Sequence, residues 1–309
     1  MNIVMLEPIG VAGKVLDHLT AFLTEKGHKF IPYFERNDDV DVLKSRVKDA
    51  DVLIIANMPL KGEVIRAAEN LKFISVAFTG IDHIDLEVCK EKNIIIKNAA
   101  GYSTNSVAEV AIGLMIDVMR NIVPLDKLTR EGGTKAGYSQ RELFGKTLGI
   151  VGTGAIGIKT AEIASAFGMN IIAYSKTKKS EVINKGIKYV ELNELLENSD
   201  IVSLHVPFTA ETKQLINGKN IAKMKPSAVL INTARGGVVD NEALAKALSE
   251  GKIAGAGVDV FDMEPPIPED YPLLKAPNAV FTPHIAFAAE EAILRRADIV
   301  FDNIRDYLK

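Results

Sequence analysis

Three side chains in the last quarter of this 309-residue chain have the chemistry to work on a small carboxylic acid: Arg235, Glu264 and His284. Arg235 stands in Asn232-Thr233-Ala234-Arg235-Gly236-Gly237, directly after the apolar run 228–231. Its planar fork can grip a carboxylate through two parallel hydrogen bonds. Glu264 lies in Asp-Met-Glu-Pro and His284 in Thr-Pro-His-Ile, each after a further apolar run. A carboxylate beside an imidazole holds one tautomer and favours the protonated ring. Such a ring can give a proton to a keto oxygen and take it back from a hydroxyl. Singly, an arginine is a surface charge and a histidine a packed ring. Their order, and their shared placement at the ends of apolar runs, make catalysis the better reading.

A second constellation lies upstream. The apolar run 148–151 leads into Gly152-Thr153-Gly154-Ala155-Ile156-Gly157, and a helical pattern follows. Gly152 permits a tight turn, Gly154 the close approach of a pyrophosphate, and Gly157 close packing of helix on strand. Backbone N–H groups at the start of the helix, around Ala155 and Ile156, would face the phosphates. With the carboxylate clamp and the acid/base, these are the parts for moving a hydride between a nicotinamide and a 2-hydroxy acid. A site specific for NAD usually has an acid about 20 residues on, on the ribose hydroxyls. Here the stretch reads Tyr174-Ser175-Lys176-Thr177-Lys178-Lys179, with no acid before Glu181. A serine with lysines behind it would welcome a 2′-phosphate. NADP(H) is therefore expected at Ser175, Lys176 and Thr177. NAD(H) stays open, because the same lysines also read as a solvated basic loop.

Positioning these groups requires strands that end at one rim. Short β-branched runs at 3–6, 29–33, 51–56, 73–78 and 94–97 alternate with helical patterns near 11–26, 40–49, 61–70 and 85–92. A second series has strands at 148–151, 170–174, 201–204, 228–231, 256–260 and 279–281. Strands separated by helices of this length form right-handed crossovers and parallel sheets. The turn-rich stretch 98–104 enters a long helix over about 105–121, the loop 262–278 carries five prolines, and a closing helix is expected over about 288–307.

The bulk numbers narrow the class. The formal charge of −3 argues against a nucleic-acid binder. The single cysteine, Cys89, allows no internal disulfide, points to a reducing compartment, and reads as a buried small hydrophobe. No basic leader precedes the first strand, and no apolar run approaches the roughly 18 residues of a membrane span. The expectation is a cytoplasmic protein with no membrane partner, no nucleic-acid partner and no metal.

The chain resembles the D-isomer-specific 2-hydroxyacid dehydrogenases over nearly its whole length. Phe-Thr-Gly-Ile-Asp-His-Ile-Asp (78–85), Asn-Ser-Val-Ala-Glu (105–109), the glycine turn and Ser-Leu-His-Val-Pro-Phe-Thr (203–209) carry the likeness. Asn-Thr-Ala-Arg-Gly-Gly-Val-Val-Asp (232–240), Gly-Val-Asp-Val-Phe (257–261) and Thr-Pro-His-Ile-Ala (282–286) complete it. The resemblance implies an α/β fold of two parallel-sheet domains. A Rossmann dinucleotide-binding domain, 99–284, would be inserted into a flavodoxin-like substrate domain made of 1–98 and 285–309. It further implies a homodimer formed largely by the cofactor domains, with the helix from about Asn105 in the interface, and domain closure during catalysis.

By resemblance, Arg235 orients the substrate carboxylate, His284 is the acid/base and Glu264 its partner. Thr79 and Gly80 would offer backbone N–H groups to the carboxylate. Asp259 would hold the nicotinamide carboxamide, helped by the backbone of Thr233 and Ala234. Pro207 and Pro283 would shape turns around the ring, and Thr212 would lie along the cofactor. His205, near the cofactor by the same likeness, also reads as structural. Phe78, Tyr102 and Phe287 would wall a small substrate pocket or simply pack, and Asn57 would face it.

Within the family, Glu264 stands where formate-acting members have glutamine, which argues against that activity. The stretch Asn57-Met58-Pro59-Leu60 lacks the basic residues that meet a phosphate in phosphoglycerate dehydrogenases, although Lys61 keeps that substrate open. The His284 and Gly101–Thr104 neighbourhoods are similar to the glycerate dehydrogenase and hydroxypyruvate/glyoxylate reductase branch. An NADPH-dependent glyoxylate or hydroxypyruvate reductase is the leading expectation. An NAD-linked D-lactate or D-2-hydroxyisocaproate dehydrogenase is the alternative, and a dinucleotide-sensing co-repressor-like protein is the reading from another class.

Overall fold

A computed structural model describes all 309 residues, which form two compact units: 1–103 with 288–309, and 104–287. In the first unit, β1 (Asn2–Met5), β2 (Lys29–Pro32), β3 (Val52–Ile55), β4 (Phe73–Val76) and β5 (Ile95–Asn98) make a five-stranded sheet in the order β2-β1-β3-β4-β5. Every pairing is parallel. The crossovers are α1 (Gly13–Glu25), α2 (Val40–Val47), α3 (Gly62–Ala67) and α4 (Leu86–Glu91). Side chains start two of them: Asp39 accepts from the N–H groups of Asp41 and Val42, and Asp85 from that of Val88. β3 and β4 are buried along their whole length, as strands covered on both faces must be.

The closing helix (Glu290–Tyr307) completes this sheet rather than starting something new. Ala292, Ala297, Val300, Phe301 and Ile304 recur at helical spacing and are buried. Ser75 Oγ donates to Val300 O (3.0 Å) and Asn303 Nδ2 to Asn98 O (3.1 Å). Phe73 stacks on Tyr307 at 4.5 Å between centroids.

The second unit holds β6 (Thr147–Val151), β7 (Asn170–Tyr174), β8 (Lys188–Tyr189), β9 (Ile201–Leu204), β10 (Val229–Asn232), β11 (Gly255–Val258) and β12 (Ala279–Phe281). Their order is β12-β11-β10-β9-β6-β7-β8, again all parallel. The chain builds outward from β6 in one direction and returns to its other side at β9. The crevice beside β6 is thus the switch point where open α/β sheets take ligands. The helices are α5 (Thr104–Arg120), α6 (Ile122–Arg130), α7 (Ala155–Ala166), α8 (Ser180–Asn184), α9 (Leu192–Asn198), α10 (Gly218–Ile221) and α11 (Asn241–Ser249).

Every expected strand is present to within two residues at each end. Two elements had no expectation. β8 is only two residues long, too short for a periodic signal, and α6 buries none of its residues. The division between units falls at 103/104 and 287/288 rather than 98/99 and 284/285. Local contacts explain the shift. Tyr102 is buried in the first unit, with its carbonyl accepting from Arg295 Nε at 3.2 Å. Residues 285–287 stay with the second unit through Asp259 and the ring of His284.

Candidate functional site

The glycine turn sits at the carboxyl end of β6, tied on both sides. Gly152 N–H donates to Tyr174 O at the end of β7, and His205 N–H beyond β9 donates to Val151 O, each at 2.8 Å. Gly152 has φ +101°, and a Cβ there would lie 2.5 Å from the His205 carbonyl oxygen, so only glycine fits. Gly154 is different. No protein atom within 4 Å opposes a Cβ, so the protein alone does not require glycine at this point. It is exposed at the start of α7, whose first N–H groups have no side-chain cap. A pyrophosphate approaching closely fits both observations. Ala155 is exposed beside it, and Ile156 is half-buried.

Beyond β7, Ser175 is half-buried while Lys176 and Thr177 are exposed. Lys176 Nζ is paired with both carboxylate oxygens of Glu211, at 3.0 and 2.9 Å. The loop carrying Glu211 is braced by Thr212, whose Oγ1 donates to Pro207 O (2.6 Å) and accepts from Thr209 N–H (2.8 Å). Thr212 therefore shapes the loop through its hydroxyl. His205 Nε2 lies 2.9 Å from the buried Ser203 Oγ, and burial pushes its imidazole down to about 4. A ring that stays neutral at physiological pH under the glycine turn is a strut for that turn.

β10, β11 and β12 end level with one another: Asn232 pairs with Val258, and Val258 with Phe281. The segments carrying Arg235, Glu264 and His284 therefore leave from one rim. Asn232 shapes the first of them, its side chain accepting from Ala234 N–H (3.1 Å) and donating to Arg235 O (3.0 Å). Arg235 is half-buried and donates from Nη1 to Ala234 O at 2.8 Å. Gly236 lies against the Phe261 backbone so closely that any Cβ would overlap it. Thr233 Oγ1 is buried with no hydrogen-bond partner, a state that buried hydroxyls rarely keep.

Asp259, fully buried, organises the last loop. Its Oδ1 accepts from Thr282 Oγ1 (2.6 Å) and Ile285 N–H (2.8 Å), and its Oδ2 from Ala286 N–H (3.0 Å). Its backbone carbonyl accepts from His284 N–H at 2.9 Å. His284 takes the left-handed conformation at φ +57°, which a bulky residue keeps only when its surroundings enforce it. Its Nδ1 lies 2.9 and 3.1 Å from the two oxygens of Glu264. The histidine side chain is 18% exposed and the glutamate 59%. Phe287 meets the imidazole edge-on, 5.1 Å between centroids. The pair fixes Nδ1–H toward the carboxylate and leaves Nε2 for proton exchange with a substrate oxygen.

The first unit places its expected residues around the ends of β3 and β4. The Phe78-Thr79-Gly80 turn is pinned by Asn98 Nδ2 donating to Thr79 O (2.6 Å) and Ala99 N–H to Phe78 O (3.0 Å). Phe78 and Tyr102 meet edge-on at 6.2 Å, and the buried Arg296 guanidinium lies 5.0 and 5.6 Å from their ring centres. Tyr102 is 2% exposed, so its ring packs within the unit. Asn57 Oδ1 accepts from Arg36 Nη1 (3.2 Å), and the same guanidinium is paired with Asp38 (3.0 Å). Glu7 lies beneath this loop, accepting from Ala56 and Met58 N–H, both at 2.8 Å. Burial pushes its carboxyl up despite those two bonds. Cys89 is buried, with its thiol pushed up to about 11 by desolvation, as befits a packed hydrophobe. No group of His, Cys, Asp and Glu side chains is arranged to hold a metal ion, and no helix is long and apolar enough to cross a membrane.

A parallel sheet with a glycine turn at its switch point, and a His–Glu pair and an arginine on one rim, defines a nicotinamide-dinucleotide oxidoreductase. Comparison with known proteins narrows the class. The NAD-binding-domain model of the D-isomer-specific 2-hydroxyacid dehydrogenases matches residues 112–286. A glyoxylate reductase of Korarchaeum cryptofilum is 42% identical over 270 residues, 85% of this chain and 81% of that protein. A hydroxypyruvate reductase of Blautia hydrogenotrophica is 38% identical over 278 residues, covering 88% and 86%. An acyclic imino acid reductase solved with NADPH and D-Arg superposes with a TM-score of 0.90 at 32% identity, covering 100% of this chain and 97% of that one. The chain belongs to the D-isomer-specific 2-hydroxyacid dehydrogenase family and is an oxidoreductase of that type.

Sequence reasoning missed the pairing of Lys176 with Glu211, the bracing role of Asp259 and the buried Glu7, because each is a contact between distant segments with no local pattern. Two outcomes follow from this geometry. Replacing Asp259 with the isosteric Asn should lower kcat/KM by about 10²-fold through loss of loop placement, with little change in NADH affinity measured by fluorescence. A loss confined to NADH binding would instead make Asp259 a direct cofactor ligand. The second concerns His205. Its folded pKa, about 4, lies below the ordinary value of about 6.5, so the folded state binds fewer protons. The stability it contributes is complete above about pH 6.5 and is lost as pH falls toward 4. Melting temperatures between pH 7 and 4 should fall more steeply for wild type than for His205→Gln; parallel curves would mean that the ring does not stay neutral.

Proposed function

We propose that this protein reduces short 2-keto acids, glyoxylate or hydroxypyruvate, to the corresponding 2-hydroxy acids, of D configuration where C2 becomes a stereocentre, with NADPH as the preferred reductant. The observation that carries the reading is His284, with Nδ1 held by Glu264 on the rim where the Arg235 segment also leaves the sheet. In this role Arg235 grips the substrate carboxylate through two parallel hydrogen bonds. Glu264 stabilises the imidazolium and holds its orientation, so that Nε2–H points at the keto oxygen. A dihydronicotinamide held in the crevice beside β6 would supply the hydride for C2. His284 gives its proton to the oxygen as the C=O bond becomes C–OH, and recovers one from solvent. In the reverse direction the neutral ring accepts the hydroxyl proton.

The cofactor would lie along Gly152, Gly154, Ala155, Ile156 and Gly157, with Ser175, Lys176 and Thr177 at the ribose. Thr233, Ala234 and Pro207 would line the crevice near the nicotinamide, and the unpartnered Thr233 hydroxyl supports a ligand there. Thr79 and Gly80, on a turn pinned by Asn98, would offer N–H groups to the substrate. Phe287 against His284 supports a small substrate, because its ring takes space beside the imidazole. A phosphorylated substrate gains no support from Arg36, which is already paired with Asp38. The two relatives named above, a glyoxylate and a hydroxypyruvate reductase, support the same substrate class. The solved imino acid reductase with NADPH supports binding of a nicotinamide dinucleotide, and the preference for NADPH rests on Ser175 and Lys176.

The deciding measurement is kcat/KM for NADPH and NADH with glyoxylate, hydroxypyruvate and pyruvate, on wild type and His284→Gln. We expect NADPH with one of the first two to be best, and the variant to lose about 10²–10⁴-fold in kcat. Preference for NADH with pyruvate would replace the substrate assignment, and a variant within a few-fold of wild type would remove His284 from the chemistry. We also propose a homodimer built through the second unit. Ile122 and Val123, 50% and 56% exposed at the start of α6, support an apolar contact there. Light scattering should give twice the 33.5 kDa chain mass; a monomer at micromolar concentration would dismiss it.

A further inference from the structure

We propose that Glu211 is the acid that reads the adenosine ribose, and that its contest with the cofactor for Lys176 sets the discrimination between NADH and NADPH. The inference rests on the dinucleotide reading of the glycine turn. The end of β7, where an NAD-binding site ordinarily keeps its acid, offers Ser175, Lys176 and Thr177 instead. The acid is not missing from the space. β6 lies between β7 and β9, so the loops after β7 and β9 flank the glycine turn that follows β6. Glu211 comes from the loop after β9 and reaches Lys176 on the loop after β7, with both oxygens on one ammonium at 2.9 and 3.0 Å. The pair therefore spans the crevice at its ribose end.

Both partners sit on braced loops. Thr212 hydroxyl bonds to Pro207 O and Thr209 N–H hold the Glu211 loop. On the other side, Tyr189 OH accepts from Lys179 N–H (3.1 Å) and lies 2.8 Å from Thr153 Oγ1 in the glycine turn. The two side chains themselves are largely exposed, 82% for Lys176 and 71% for Glu211. An ion pair so exposed adds little to folding stability, which leaves ligand recognition as the role its placement serves.

The charges dictate the outcome for each cofactor. With NADH, the 2′-hydroxyl donates to Glu211, and Lys176 keeps its partner. With NADPH, a 2′-phosphate carrying about −1.5 to −2 charges takes Lys176, and Glu211 must withdraw because like charges side by side repel. Glu211 thus supports NADH and taxes NADPH, while Lys176 does the reverse. An enzyme with both residues accepts both cofactors, and the balance between them is adjustable at one position.

The test is kcat/KM and fluorescence-measured Kd for NADPH and NADH on the full-length protein: wild type, Glu211→Gln, Lys176→Ala and the double variant. Glu211→Gln should raise the NADPH:NADH ratio about tenfold, the scale of one charge-assisted hydrogen bond. Lys176→Ala should lower the ratio, and Glu211→Gln should gain less in the Lys176→Ala background, because the contested cation is gone. A ratio within twofold of wild type in Glu211→Gln, by both rate and Kd, would overturn the inference and leave an ordinary surface ion pair. The two readings fail separately. A wild type that prefers NADH dismisses the NADPH assignment, whereas the Glu211 inference is judged only by how the ratio moves.

Discussion

The rim that carries Arg235, Glu264 and His284 depends on one buried carboxylate. Asp259 has no exposure to water, and its oxygens accept from Thr282, Ile285 and Ala286 while its carbonyl accepts from His284 N–H. A buried carboxylate is costly unless such donors surround it. The cost makes the arrangement all-or-none: the donors must gather at that one point, so the loop has one shape. That shape holds His284 at positive φ and brings its Nδ1 to Glu264. The imidazole's orientation is thereby set by backbone geometry in the protein alone.

The same economy governs the other end of the sheet. The glycine turn is held between neighbours by two backbone bonds, Gly152 to Tyr174 and His205 to Val151. His205 can pack there because burial keeps its ring neutral, so no unpaired charge is buried under the turn. In-register parallel pairing of β10, β11 and β12 then presents three functional segments at one height. Hydrophobic strands thus do more than fill a core: their register is the ruler that spaces the chemistry.

Much of this could be read from the amino acids. Strands such as β3, β9 and β10 are short apolar runs with helices between them, and parallel packing follows from that alternation. The shared rim of Arg235, Glu264 and His284 was legible because each follows such a run. What stayed hidden was contact between remote segments. Nothing local in Asp-Val-Phe says that Asp259 will serve residues 282–286, and nothing in Ala-Glu-Thr says that Glu211 will meet Lys176. Tyr102 shows the reverse limit: an aromatic near a site motif reads equally as a pocket wall or as packing, and only the fold shows a residue 2% exposed, its ring beside Arg296. β8 escaped because two residues are too short to leave a pattern.

The closing helix carries a consequence for how the molecule is made. Ser75 meets Val300, and Asn98 meets Asn303, partners separated by 225 and 205 positions along the chain. The whole of 104–287 lies between them. On a ribosome, that interior stretch emerges complete while the strands ahead of it still lack the helix covering Phe73 and Ser75. The strands that precede the interior stretch are therefore sealed from water only after it, and they keep apolar surface exposed through that interval.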